Sequence, residues 1–378
     1  MNSLPQTPAK ATNHLYPLPS KDSTLSRHLP DDSATAKWVK RSGDIGNRET
    51  KFAWGGNSSI KVGAFPSVVG KTNGSKFSRT FEYQGDTYAY GTEAESLPHP
   101  IRMLPDLRAL PEARKIGEFG LFFRALLAHM TKLKKTDEVQ AIRLALSTSA
   151  SPDDYKRLRE CVESITSLTV NGIEYSYRLK VDAIVPEGWG VIQAQKLLSD
   201  RGFLLDIGHG TVIISRLNGQ TSELSGETLK PEDVGQKLES EGCAGVYTAW
   251  AQESAAYTGN VSAPIGLLSD ALVRGKQPNG YYEFCKDRSQ NKRFNKALRN
   301  AIDLRWEAMM ENLEIRTAIE KAFLDGDCLY ACGGGAHLFE KQLVREGFKI
   351  IPQASTANVR GMQGWLNVQS TDGGNVNG

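Results

Sequence analysis

The chain has 378 residues, 39% hydrophobic and 24% charged, with a net charge of +3. That suits a soluble globular chain large enough for two domains or one bilobed one, and so small a charge makes no case for direct nucleic-acid binding. Five scattered cysteines, no run of membrane-spanning length and no apolar signal-peptide core point to a reducing cytoplasm.

Residues 1–36 mix Pro, Ser, Thr, Asp and Lys with few large apolar side chains, a composition that cannot offset its ordering entropy. They are expected to form a disordered or partner-ordered arm. Trp38 to Asp44 leads into the turn Asp44-Ile45-Gly46-Asn47, and Thr50 to Ala53 returns as a strand. Phe65 to Val69 and Phe81 to Tyr83 are further strand pieces, the second turning at Gly85-Asp86. From 112 to 134 apolar residues recur at helical spacing, and Ala141 to Leu146 is a buried strand. Ser151-Pro152-Asp153-Asp154 opens the next helix as N-cap, proline and acidic first turn.

Asn171-Gly172 between two apolar runs signals a hairpin. Ala183 to Val185 is expected as a short strand ending at Pro186-Glu187, with a helix running on through Leu198. Phe203 to Leu205 enters a second turn, Asp206-Ile207-Gly208-His209-Gly210-Thr211; Val212 to Leu217 leaves it, and Asn218-Gly219 turns again. Pro231 to Arg316 reads as mostly helical. Cys328 to Cys332 is a strand, which favours buried thiols over a zinc site. Gly333-Gly334-Gly335 is a tight loop, Ala336 to Glu346 a helix, Phe348 to Ile351 a strand and Asn358 to Val368 a last helix. From Ser370 to Gly378 a loose tail is expected. The order of elements repeats after Phe203, which suggests a duplicated α/β plan of two similar lobes.

The two D-I-G turns carry the chemistry. An Asp at a strand end reaches a metal ion, and the Gly after it lets backbone N–H groups approach phosphate oxygens. Facing each other, two such turns would clamp one triphosphate from both sides. In the first, Asp44 would lie near the metal and Lys51, on the returning strand, near the phosphates; a plain surface hairpin is the alternative. The second adds an apolar strand, two glycines and the Thr211 hydroxyl. Glu187, at a strand end, could orient a water for in-line attack on a γ-phosphate, or merely favour a helix dipole. Gly333 to Gly335 suits close ligand approach at a helix N-terminus. The histidines show no metal spacing, and His129 reads as a core-edge residue.

In this order the motifs resemble the actin-like ATPases, and among them the bacterial plasmid-segregation proteins of the ParM/StbA type. The likeness rests on D-I-G-N-x-x-x-K at 44–51, F-P-S-V-V-G at 65–70, Y-x-Y-G-T-E-A at 88–94, P-E-G at 186–188, D-I-G-H-G-T at 206–211, G-G-G-A at 333–336 and A-N-V-R-G at 357–361. It spans about residues 37 to 368. It implies an α/β, two-lobed actin-like ATPase fold of duplicated ribonuclease-H-like lobes with ATP and Mg²⁺ in the cleft between them. Lobe I would take 37–200 plus a C-terminal helix at 352–369, and lobe II 201–351, with the tail at 370–378. Asp44 and Asp206 would hold Mg²⁺, largely through its waters. Gly46, Asn47, Lys51, Gly208, His209, Gly210 and Thr211 would hold the phosphates; Gly333, Gly334 and Gly335 would border the adenosine; Glu187 would position the attacking water.

The implied activity is ATP hydrolysis driving a head-to-tail filament, with a plasmid or other replicon reached through a DNA-binding adaptor protein. A small-molecule kinase and a non-hydrolysing nucleotide-gated binding protein stay open as alternatives. One departure is the lead-in K-W-V-K-R-S-G at 37–43, more polar than the apolar first strand usual in these proteins, which suggests a modified first lobe.

Overall fold

The computed structural model describes residues 38–102, 111–131, 139–148, 154–197, 200–218, 236–238, 242–258 and 265–369. The first lobe opens with β1 (Val39–Ile45), β2 (Glu49–Trp54), β3 (Lys61–Pro66), β4 (Val68–Lys71), β5 (Thr80–Tyr83), β6 (Asp86–Tyr90) and β7 (Ile101–Arg102). It continues through α1 (Pro111–Met130), β8 (Gln140–Thr148), α2 (Tyr155–Glu163), β9 (Ser167–Val170), β10 (Ile173–Pro186) and α3 (Trp189–Ala194). The second lobe holds β11 (Arg201–Ile207), β12 (Val212–Asn218), β13 (Gln236–Leu238), α4 (Ala244–Thr258), α5 (Ile265–Arg274), α6 (Arg288–Met310) and α7 (Leu313–Asp325). Then come β14 (Cys328–Cys332), α8 (Glu340–Arg345), β15 (Lys349–Ile350) and α9 (Ala357–Val368).

Two sheets result. One has the order β3-β2-β1-β8-β10-β9-β5-β6-β4-β7, the other β13-β12-β11-β14-β15. The first five strands of the large sheet and all five of the small one share a plan. Each starts with an antiparallel meander, β3-β2-β1 or β13-β12-β11. Each then adds two parallel strands, β8 and β10 or β14 and β15. The duplication suggested by the order of motifs is therefore present in the topology. One apolar core lies against the large sheet around Phe122, Leu126 and Leu144, and another in the second lobe around Trp250, Phe294 and Phe339. A third joins them: Ala145, Val185 and Trp189 pack in one cluster with Leu204, Cys332 and Met362. Among the described residues no helix is long and apolar enough to cross a membrane.

The polar first strand is paired on both edges, and its polar groups find partners. The buried Ser42 hydroxyl donates to the Val359 carbonyl (2.7 Å), and the Lys40 ammonium donates to the Asn367 carbonyl (3.2 Å) at the negative end of α9. On the opposite face Gly43 leaves room for Leu126, whose Cδ2 would stand 2.8 Å from an added Cβ. The strand is polar because α9 holds it by hydrogen bonds.

Several boundaries differ from the sequence reading. The hairpin strand after Asn171-Gly172 and the strand at Ala183 are one element, β10, whose register shifts between Val181 and Ala183. At that shift Asp182 takes two bonds from Arg143 (2.6 and 2.9 Å). The helix after Glu187 stops at Ala194 rather than Leu198, with Lys196 at φ 53° as the chain reverses toward β11. The described residues of 231–316 are mostly helical, as expected, with the short β13 ahead of α4 and a Lys276–Tyr282 pairing in the loop after α5. The helix expected from Ala336 begins only at Glu340. Ahead of it, Leu338 and Phe339 N–H both bond the Gly335 carbonyl in a run of turns. Ser151, Pro152, Asp153, Gly219, the arm at 1–36 and the tail at 370–378 lie outside the described residues.

Candidate functional site: a cavity between two facing turns

Strand pairing delivers the acids. In the β1–β2 hairpin Asp44 is the cross-strand partner of Lys51, and on the parallel side it faces Ser147 of β8. In the second lobe Asp206 pairs with Ile213 across the hairpin and with Cys332 of β14. The two aspartates thus hold equivalent places, each one residue before the end of the first strand of its repeat. Period-two alternation turns both the same way relative to their own sheet, and the lobes set them face to face.

A cavity of about 340 Å³ lies between them, a size within the roughly 300–1,000 Å³ of small-molecule sites. It is lined by Asp44, Gly46, Asn47, Lys51, Glu187, Asp206, Gly208, His209, Thr211, Gly333, Gly334 and Gly335. Of the residues singled out in the sequence, only Gly210 does not line it; that glycine is buried inside its turn. The cavity also takes in Arg48, Glu49, Tyr247, Tyr282 and Asn358. Arg48 and Glu49 occupy variable places in D-I-G-N-x-x-x-K, and Asn358 sits in A-N-V-R-G, where the sequence suggested no role for it. Nothing in the sequence pointed to Tyr247 or Tyr282.

The second turn is braced from below. Gly208 N–H bonds the Thr211 carbonyl (2.9 Å), while Cys243 and Ala244 N–H bond the carbonyls of Gly208 (3.0 Å) and His209 (2.8 Å). The start of α4 therefore fixes the turn. Gly335 N–H reaches the Ile207 carbonyl (2.8 Å), and Gly333, at φ 87°, packs so close to Asp206 and Ile207 that a side chain there would collide with both. The glycine run borders the cavity as a loop rather than as a helix start. Gly334 has open space where a Cβ would be.

Glu187 stands on the turn between β10 and α3, beside Gly188 at φ 83°. Behind it, Gly190 N–H donates to Asn358 Oδ1 (2.9 Å), and Asn358 Nδ2 donates to the Ser147 hydroxyl (3.0 Å). That buried network ties β8, α3 and α9 together at the cavity floor.

The electrostatics suit a cation. Burial, then the neighbouring Glu187 and Asp44 carboxylates, push Asp206 up to about 7; Lys51 and a hydrogen bond from Cys332 act the other way. The Cys332 thiol is itself raised by burial and by Asp206. His209 is pushed down to about 4 by burial and then by Arg48, so it is neutral at neutral pH. A divalent ion between the acids would relieve their repulsion, and oxygen ligands fit Mg²⁺. Among the described residues no three His, Cys, Asp or Glu side chains are grouped to ligate one ion, so such an ion would keep water or phosphate ligands. Buried Asn47 Oδ1 has no hydrogen-bond partner, as expected for a cradle awaiting a polar ligand.

No protein-family model and no curated protein matches the sequence. Solved structures do resemble the chain. The apo psk41 ParM protein has a TM-score of 0.57 at 14% identity, covering 89% of this chain and 99% of its own. The chain has the actin-like fold. An archaeal actin homolog in complex with ADP gives a TM-score of 0.56 at 17% identity, covering 87% of this chain and 99% of that one. A MamK double helical filament gives 0.56 at 16% identity, with 87% and 99% covered.

Proposed function

We propose that this actin-like chain binds Mg²⁺-ATP in the cleft, hydrolyses it and assembles into a nucleotide-dependent filament. The observation that carries the reading is the pair of D-I-G turns meeting at one cavity from equivalent places in two repeats. Solved neighbours support it: one is an ADP complex and another a filament. A head-to-tail contact between copies is heterologous and need not close on itself, which makes a polymer rather than a ring. A role in plasmid or replicon segregation, through a DNA-binding adaptor, rests on the ParM/StbA-type resemblance.

In this reading the turn amides around Gly46 and Asn47, and those of His209 and Thr211, hold the phosphate chain, with Lys51 adding charge. The Gly208 N–H is occupied by the Thr211 carbonyl and Gly210 stays buried in the turn, so these two glycines shape the turn rather than bind. Asp44 and Asp206 would hold Mg²⁺, largely through its waters, and the ion would supply neutralisation of phosphate charge. Glu187 orients the attacking water and accepts its proton. Gly333 to Gly335 border the adenosine. The site offers positioning and electrostatics, as phosphoryl transfer to water requires.

The test is sedimentation. With Mg²⁺-ATP the protein is expected in the ultracentrifuge pellet together with phosphate release, and without nucleotide in the supernatant. Turnover without pelleting would return the choice to a kinase-type enzyme. Binding without turnover or pelleting would favour a nucleotide-gated binding protein.

A further inference from the structure

Arg48 projects from the first turn, directly after Asn47, and crosses the cavity. Its guanidinium donates to the Tyr247 hydroxyl on α4 and lies over the Tyr247 ring, 4.7 Å from the centroid. His209 of the second turn meets the same ring edge-on at 5.2 Å. Three elements converge here: the β1–β2 turn of one lobe, and the β11–β12 turn and α4 of the other.

The two cations of the cavity are not equivalent. Lys51 is paired in register with Asp44, and its charge acts on Asp206 and Cys332. Arg48 instead acts on His209 and Tyr247, and the two cations share only Cys243. The Tyr247 hydroxyl is a neutral acceptor, held in that form by burial, whereas a phosphate would offer the guanidinium two charge-assisted bonds.

We propose that Arg48 is a phosphate-binding residue of this site, exchanging its Tyr247 contact for the phosphate chain of a bound nucleoside di- or triphosphate. The assignment rests on the nucleotide reading above. It makes Arg48 a lobe-spanning contact whose strength depends on the charge of the ligand.

The experiment measures thermal unfolding and binding by calorimetry with Mg²⁺-ADP, for wild type, Arg48→Gln, Arg48→Lys and Tyr247→Phe. Wild type should bind ADP and gain melting temperature. Arg48→Gln should melt like wild type without ligand, yet bind ADP at least about tenfold more weakly; Arg48→Lys should recover part of that loss. Tyr247→Phe keeps the ring and should bind ADP within about threefold of wild type, because the phosphate replaces the hydroxyl. A ligand-free melting temperature that falls in Arg48→Gln without loss of ADP affinity would make the contact a structural clasp and overturn the proposal. So would equal ADP affinity in wild type and Arg48→Gln, or a loss in Tyr247→Phe as large as in Arg48→Gln. Failure of wild type to bind ADP would overturn the nucleotide reading itself.

Discussion

Asp206 concentrates the chemistry of the site in one carboxyl group. Its value near 7, raised from the usual 3.8 by burial and by Glu187 and Asp44, has a consequence for stability. Between about pH 4 and 7 the folded chain binds this proton more tightly than the unfolded chain does, so unfolding releases it. The protonated group therefore favours folding at low pH, and that contribution is lost as pH rises through 7. Asp206→Asn is expected to melt higher than wild type at pH 8, to close that gap below pH 4, and to lose turnover by about a hundredfold or more. A melting curve of the variant with the wild-type pH dependence would remove the charge repulsion from this account. Glu187→Gln is a different case, since it acts on the water rather than on the phosphate turns. It should keep ADP affinity and slow phosphate release by about a hundredfold. Lost affinity would make Glu187 part of the binding frame. Both acids were visible in the sequence because their motifs are local: strand, acid, glycine. Tyr247 was not, since its place at the cavity depends on α4 packing beneath a turn some forty residues earlier in the chain.

At the scale of elements, the two short helices under the cleft meet backbone to backbone. A Cβ on Gly361 of α9 would run into the Gly190 carbonyl of α3, and one on Gly190 into the Asn358 carbonyl. Two facing glycines allow α3 and α9 to approach this closely, and α9 in turn anchors β1 through Ser42 and Lys40. Gly361→Ala should therefore destabilise the protein by about 1–3 kcal/mol or more, read from urea unfolding. Gly364→Ala, one turn on, is the control: its nearest foreign atom is Ile60 Cδ1 at 4.0 Å, so removing a helical glycine there should stabilise by about 0.5–1 kcal/mol. Equal effects at both positions would mean that the crossing is not tight. The strands that enter the two turns, β14 and α9 were legible in the sequence because apolar runs and helical period mark them directly, whereas β7 and β13, two and three residues long, were not. The helix limits near Leu198 and Ala336 were not. Apolar periodicity continues past Ala194, but the reversal into β11 sets the end, and the bond from Gly335 N–H to the Ile207 carbonyl holds the later loop out of helix.

For the whole molecule, the two repeats were legible only as an order of motifs. Their matching strand orders became evident once long-range pairing was seen, because β1 with β8 and β11 with β14 are partners separated by most of a lobe. The cleft follows from that symmetry: each repeat presents its acid and its glycine turn at the same strand end, and the shared core around Trp189 and Met362 holds the repeats together beneath it. The described elements of the site begin at Val39, so removing residues 1–34 should leave Mg²⁺-ADP affinity and the melting temperature unchanged. The proposed filament makes a second demand on the same variant. A polar lead of that length can order against a neighbouring subunit, at a cost in chain entropy that the contact must exceed. The truncated chain is then expected to show a changed critical concentration for ATP-dependent pelleting. Unchanged pelleting would deny the segment a role between subunits, and loss of the folded monomer would show instead that it packs on the lobes.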